Sequence, residues 1–179
     1  MTPPTSRDLT EECANKARAI VRDNLYLSLA TSTPSGDPWI CTLYYAWDAE
    51  YSFFWTSAKD AQHSRMLTLN PRVAATIYDS HAPPGTGEGV YLVGVARELG
   101  EADLPHALAV FYRRRYPDPD ERAKRGRSVA DFSGASPRRL YALEPARCYV
   151  LDPRGHREFG PLVDVRFEVN LALLRGREQ

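Results

Sequence analysis

Two hydroxyl residues, Thr56 and Ser57, stand side by side at the end of an aromatic run, YSFFWTS. The polar stretch after them carries Lys59, Gln62, His63 and Arg65. Hydroxyls, a helix start and basic side chains are the groups that hold a phosphate. The first amides of a helix point at an anion, and charged donors make short, strong hydrogen bonds to it. Ser57 and Asp60 have the S-x-x-[DE] spacing of a capping box, so Ser57 is expected to cap the helix it precedes, a position at which an anion is also felt. His63 follows Lys59 by four residues, which sets the two on one helix face. As an imidazolium, His63 would donate to a phosphate. Lys59 and Arg65 read more simply as solvated surface cations.

Other chemistry finds less support. Cys13, Cys41 and Cys148 are odd in number and far apart, which suits neither a disulfide framework nor a zinc site, and each reads as a small buried hydrophobe. Cys41 has no histidine near it in sequence and no activating charge. His63, His81, His106 and His156 form no Ser-His-Asp or H-E-x-x-H pattern. The PPGTGEG run lacks the strand-to-helix context and the Lys-Ser/Thr ending of a phosphate loop, and reads as a surface loop.

The elements that must position Thr56 to Arg65 follow from periodicity. A helix is expected from Asp8 to Asn24, with Asp8 and Glu11 as a capping-box start. LYLSLATST, from Leu25 to Thr33, alternates as a half-buried strand. PSGDP is a turn, and WICTLYYAWD is the second strand of a hairpin. YSFFWTS is the third strand, and Asn70-Pro71 ends the helix after it. RVAATIYD and VYLVGVAREL are further strands. Gly94 within the latter suggests a bulge or a close approach. Asp103 to Tyr116 reads as a helix with Leu104, Leu108, Phe111 and Tyr112 on its apolar stripe. Arg113, Arg114 and Arg115 in its last turn are expected to face water. A polar loop or short helix spans 117–137, and a last barrel strand spans 138–152. The tail, 153–179, holds an edge strand at DVRFEV and a helical turn at NLALL.

The chain has 179 residues, 43% of them hydrophobic, and a formal net charge of zero from 23 basic and 23 acidic side chains. That is enough for one core and one domain over 1–179, and it leaves no electrostatic footprint for nucleic acid or an anionic membrane. Neither a signal peptide nor a membrane-length apolar stretch is visible, so a cytoplasmic protein is expected. Strands lie close in sequence and are joined by short turns, which favours an antiparallel barrel with helices outside over βαβ units.

Four pieces, in order, resemble the pyridoxamine 5′-phosphate oxidase-like superfamily of flavin-binding split β-barrels: LYLSLATSTPSGDPWICTLYYAWD, FFWTS, QHSRMLTLNPRVAATIYD and GVYLVGVAREL. The resemblance covers about Leu25 to Leu99, with a weaker echo from Arg139 to Asp152. It implies a mainly β fold with flanking helices, an antiparallel split β-barrel whose core is 25–99, preceded by the helix in 1–24 and followed by the helix of 103–116. It implies a homodimer with FMN in a groove between subunits. Thr56, Ser57, Gln62 and His63 would hold the phosphate. The ring would lie along Cys41, Thr42 and Leu43 as far as Ala46, with Cys41 a small residue beside it. Gly89 and neighbouring Glu88 would come close to the cofactor. True pyridoxamine phosphate oxidases carry arginine where Cys41 stands, lysine where Ala46 stands and an Arg-Lys pair where Gln62 and His63 stand. They also end in an Arg-Leu-x-Pro segment that this chain lacks. The resemblance therefore implies a flavoprotein oxidoreductase acting on another small organic molecule. A deazaflavin, a haem or a non-catalytic flavin-binding role are its alternatives.

Overall fold

A computed structural model describes residues 6–160 and 163–176. Helix α1, Ser6–Asp23, begins before the expected start, so Asp8 lies in its first turn, where a carboxylate favours the helix dipole rather than acting as the cap. Leu9, Cys13, Ala14, Ala17 and Val21 recur at helical spacing and are buried. Strand β1, Tyr26–Ser32, alternates between buried and exposed side chains as its sequence does. The turn after it needs Gly36, whose φ of +97° lies in the left-handed region.

The second hairpin strand is not continuous as its sequence suggested. It divides into β2, Pro38–Tyr44, which pairs with β1, and β3, Ala46–Trp47, which pairs with β4, Phe53–Ala58. Tyr45 is the corner between them. Its ring is fully buried, and its hydroxyl lies 2.7 Å from the Val21 carbonyl and 2.9 Å from that of Asn24. The local alternation of apolar residues continues through the corner, so sequence periodicity could not reveal it.

Helix α2, Gln62–Leu69, leads to β5, Arg72–Tyr78, and β6, Gly89–Glu98. Then come α3, Leu104–Arg115, α4, Pro119–Arg125, and a 3-10 turn at Val129–Phe132. The long β7, Arg138–Leu151, carries on one edge the short β8, Arg166–Val169, and a second 3-10 turn spans Leu171–Leu173. The eight strands form one antiparallel sheet in the order β2-β1-β5-β6-β7-β4-β3, with β8 on β7. Its two ends, β2 and β3, are separated in the chain by Tyr45 alone. A sheet whose first and last strands are one bent segment must curl on itself, and so it forms a barrel. The barrel is split because β2 and β4 do not pair beyond that bend.

Two cores result. Leu27, Leu29, Tyr45, Phe53, Trp55, Ile77 and Leu92 fill the barrel together with the apolar face of α1. Outside it, Phe54, Leu140 and Ala142 pack under Leu104, Leu108, Phe111 and Tyr112 of α3. The expected bulge is present. The β6–β7 register shifts between Val93 and Gly94, and a β-carbon on Gly94 would lie 2.2 Å from the Glu144 carbonyl oxygen.

Candidate functional site

Strand β4 runs on to Ala58, pairing with β7 at Ser57↔Arg139 and Ala58↔Arg138, and the Lys59 amide donates to the Pro137 carbonyl at 2.8 Å. This ladder delays the helix, so α2 starts at Gln62 with Ala61 as its cap. Ser57 therefore does not cap the helix, and Lys59 lies before it rather than on a face shared with His63. Alanine has no side-chain acceptor, and no side chain among the described residues caps α2. The first amides of the helix, at Gln62, His63 and Ser64, are left for another acceptor.

Ser57 meets His63 instead. Its hydroxyl oxygen lies 2.7 Å from Nε2 of the imidazole, which is only 9% exposed. Burial holds His63 below the ordinary histidine pKa, because a charged ring there loses its hydration. Ser64 donates to the Ala58 carbonyl at 2.8 Å, closing the turn. Gln62 and Arg65 are exposed and hydrogen-bonded to each other at 2.9 Å. Thr56 takes the other face of β4. Trp55 stacks on Tyr141 on the barrel side and Ser57, opposite Arg139, shares that side, while Phe54 and Leu140 belong to the core under α3. Alternation thus turns the two hydroxyls away from each other.

Across the split stands β2. The Tyr45 amide donates to the Leu25 carbonyl and the Thr33 amide to that of Asp37. In this antiparallel register, Leu43, Cys41 and Trp39 then face β1 with their backbone groups, and Ile40, Thr42 and Tyr44 turn theirs toward the open edge. Continuing the β3–β4 pairing past Tyr45 would set Tyr44 against Thr56 and Thr42 against Ala58, so the wedge opens between these two pairs. Thr42 is exposed, Leu43 is in the barrel core, and Cys41 packs partly against it. Burial pushes the Cys41 thiol up to about 11, so it offers no thiolate near neutral pH.

Gly89 lies elsewhere. It pairs with Tyr78, at the far end of β5 from Arg72, while α2 packs at the Arg72 end, where Asn70 bonds Ser32 at 3.1 Å. Seven strand residues separate the ends by roughly 20 Å, so within this chain Gly89 does not join Ser57 and His63. Glu88 beside it is bound to Lys16 of α1 at 2.7 Å. A cavity of about 720 Å³ opens at this end, lined by Thr76, Tyr78, Glu88, Tyr91 and Asp152.

Between the two ends runs an uncovered face of the sheet. Cross-strand rows Ile40–Ala30–Ala74–Val93 and Thr42–Ser28–Thr76–Tyr91 cross β2, β1, β5 and β6. Ala30 and Ala74 are exposed although they sit in the middle of it, so none of the described residues packs over them. Ile40 is 67% exposed and Tyr26 56%.

Sequence reasoning missed Arg114. Expected in water, it is partly buried, with its guanidinium 4.1 Å from the Trp47 ring centre and 5.0 Å from that of Tyr45. It donates to the carbonyls of Val21, Arg22 and Asn24 at the end of α1. The local signal, three arginines closing a helix, does not say which of them turns inward.

The family model for pyridoxamine 5′-phosphate oxidase matches residues 14–152. No curated protein matches the sequence. Among solved structures, the chain is similar to a haem-binding protein from Mycobacterium smegmatis, with a TM-score of 0.65 and 19% identity over 97% of this chain and 61% of that one. It is similar to the protein Atu2129, of unknown function, from Agrobacterium tumefaciens, with a TM-score of 0.60 and 25% identity over 84% of this chain and 60% of that one. It is also similar to the haem storage protein HutZ from Vibrio cholerae, with a TM-score of 0.58 and 18% identity over 76% of this chain and 92% of that one. This chain thus spans less than two thirds of the first two.

Proposed function

Because the chain belongs to the pyridoxamine 5′-phosphate oxidase family, we propose that it is a homodimeric FMN-binding protein serving oxidoreduction of a small organic molecule other than pyridoxamine phosphate. One observation carries this reading: the uncapped start of α2 beside the Ser57–His63 pair, at the mouth of the split. Amides with no internal acceptor, a hydroxyl and an imidazole suit a phosphate monoester. Across the wedge, the edge groups of Ile40, Thr42 and Tyr44 supply donors and acceptors at the spacing of a strand, which suits the hydrogen-bonding rim of a flavin ring. When bound, the flavin supplies the redox chemistry, and the residues here bind and orient it.

Distance and exposure support the dimer. Gly89 can serve this site only from a second copy, since its own protomer holds it about 20 Å away. The uncovered face of β2, β1, β5 and β6 lies between the two regions and would be buried by such a copy.

The absorbance spectrum of the purified protein, alone and after adding FMN, tests the reading. Flavin bands that co-elute with a dimer are expected. A colourless protein that ignores FMN defeats it, a Soret band would favour haem, and a deazaflavin spectrum would favour that cofactor. Ser57→Ala is expected to weaken FMN binding about tenfold or more, on the order of 1.5–3 kcal/mol for a bond to a charged group, with the circular dichroism spectrum unchanged. Equal affinity would put the phosphate elsewhere.

A further inference from the structure

We infer that His63 is a positioning residue that takes up a proton when the anion binds, acting through the Ser57 hydroxyl; this rests on the phosphate-site reading above. The contact between Ser57 and Nε2 of His63, at 2.7 Å, holds a single shared proton when the ring is neutral and presents a bare Nε2. A phosphate oxygen is an acceptor only and would claim the hydroxyl proton of Ser57. The serine oxygen is then left to accept, and a proton on Nε2 completes the contact. The neutral Nε2–H tautomer meets that need too, but only the imidazolium also sets a positive charge beside the anion.

The neighbouring cations are exposed or otherwise engaged. Lys59 and Arg65 are exposed, and Arg65 is bonded to Gln62. Arg139, opposite Ser57 in β7, is held by Glu98 at 2.8 Å and by the carbonyls of Gly134, Ser136 and Arg138. Helix α2 packs on β1, β2 and β6 and adjoins β4 and β7. Their titratable side chains are Tyr26 on β1, with Cys41 and Tyr44 on β2. On β6 they are Tyr91, Arg97 and Glu98, and on β7 Arg138, Arg139, Tyr141 and Glu144 stand with Arg147, Cys148 and Tyr149 further along. Asp60 completes the set on the turn before α2. Against this background burial is what acts on His63, lowering its pKa in the free protein. An anion at contact distance reverses that balance, because an opposite charge favours the imidazolium.

The sign follows. Where the bound form holds one more proton, affinity is greatest at low pH and falls as pH rises through the His63 pKa of the complex, by up to about tenfold per pH unit. The second ionisation of the FMN phosphate, near pH 6, affects wild type and variants alike, so the comparison between them isolates His63.

Titration calorimetry of FMN in two buffers of different ionisation enthalpy, from pH 6.5 to 8.5, measures the proton count. Wild type is expected to take up a proton, approaching one. His63→Gln and Ser57→Ala are expected to take up none and to show flatter pH profiles. Equal proton counts and parallel profiles overturn the proposal. Ring-proton NMR of His63 in the wild-type protein, with and without inorganic phosphate, gives the answer should a variant fail to fold. A titration midpoint raised by phosphate supports the proposal, and an unmoved one overturns it. If FMN does not bind at all while phosphate raises the midpoint, the flavin reading fails and the proton-coupled anion site stands.

Discussion

Arg114 joins three elements through one side chain. It closes the carbonyl end of α1, lies over Trp47 and Tyr45 at the barrel corner, and belongs to α3. Its Nε is buried without a partner, yet the remaining contacts keep the charge in place. Replacing it by methionine retains much of the volume and removes both the donors and the charge over the rings. A loss of about 2–4 kcal/mol is expected, read as a lower denaturant midpoint at unchanged slope. A loss below about 0.5 kcal/mol would mean that the carbonyls are satisfied by water instead. Sequence made Arg114 look like its neighbours Arg113 and Arg115, since a helix C-terminus favours any cation. The inward turn depends on where α1 and Trp47 come to lie.

Strands β6 and β7 pair through a bulge at Gly94. A β-carbon at Gly94 would face backbone, with the Glu144 oxygen at 2.2 Å and the Pro145 Cα at 2.9 Å, and backbone cannot rotate away as a side-chain tip can. Gly94→Ala is expected to cost about 3 kcal/mol or more, which lowers the thermal midpoint by roughly 6–12 °C at this chain length. Gly100→Ala, with open space around the new methyl, is the control and should change little. Equal melting of the two variants would show that β7 can yield at Pro145. The sequence already marked Gly94 because a glycine interrupts a regular alternation. It could not mark the partner, which lies fifty residues further on.

The whole molecule leaves one broad sheet face uncovered, and the dimer proposal places a second copy there. Ala74 is exposed at its centre, so Ala74→Arg should leave the protomer folded while setting a charge into the buried contact. Light scattering is expected to show a monomer, and FMN is expected to be lost together with the dimer. A variant that remains dimeric, or a monomer that keeps full FMN affinity, would separate the cofactor site from this face.

Periodicity, turn residues and the Asn70-Pro71 break are local properties, and they were enough for the order of the main strands and helices and for proposing the Thr56–Arg65 segment as a phosphate site. Pairing is not local. The β4–β7 ladder decides that the strand continues past Ser57 and that α2 begins uncapped, and strand alternation decides that Thr56 and Ser57 face apart. The bend at Tyr45 opens the split and sets the edge of β2 across from β4. Those choices follow from which strand hydrogen-bonds to which, a property of the closed sheet that no short window of residues contains.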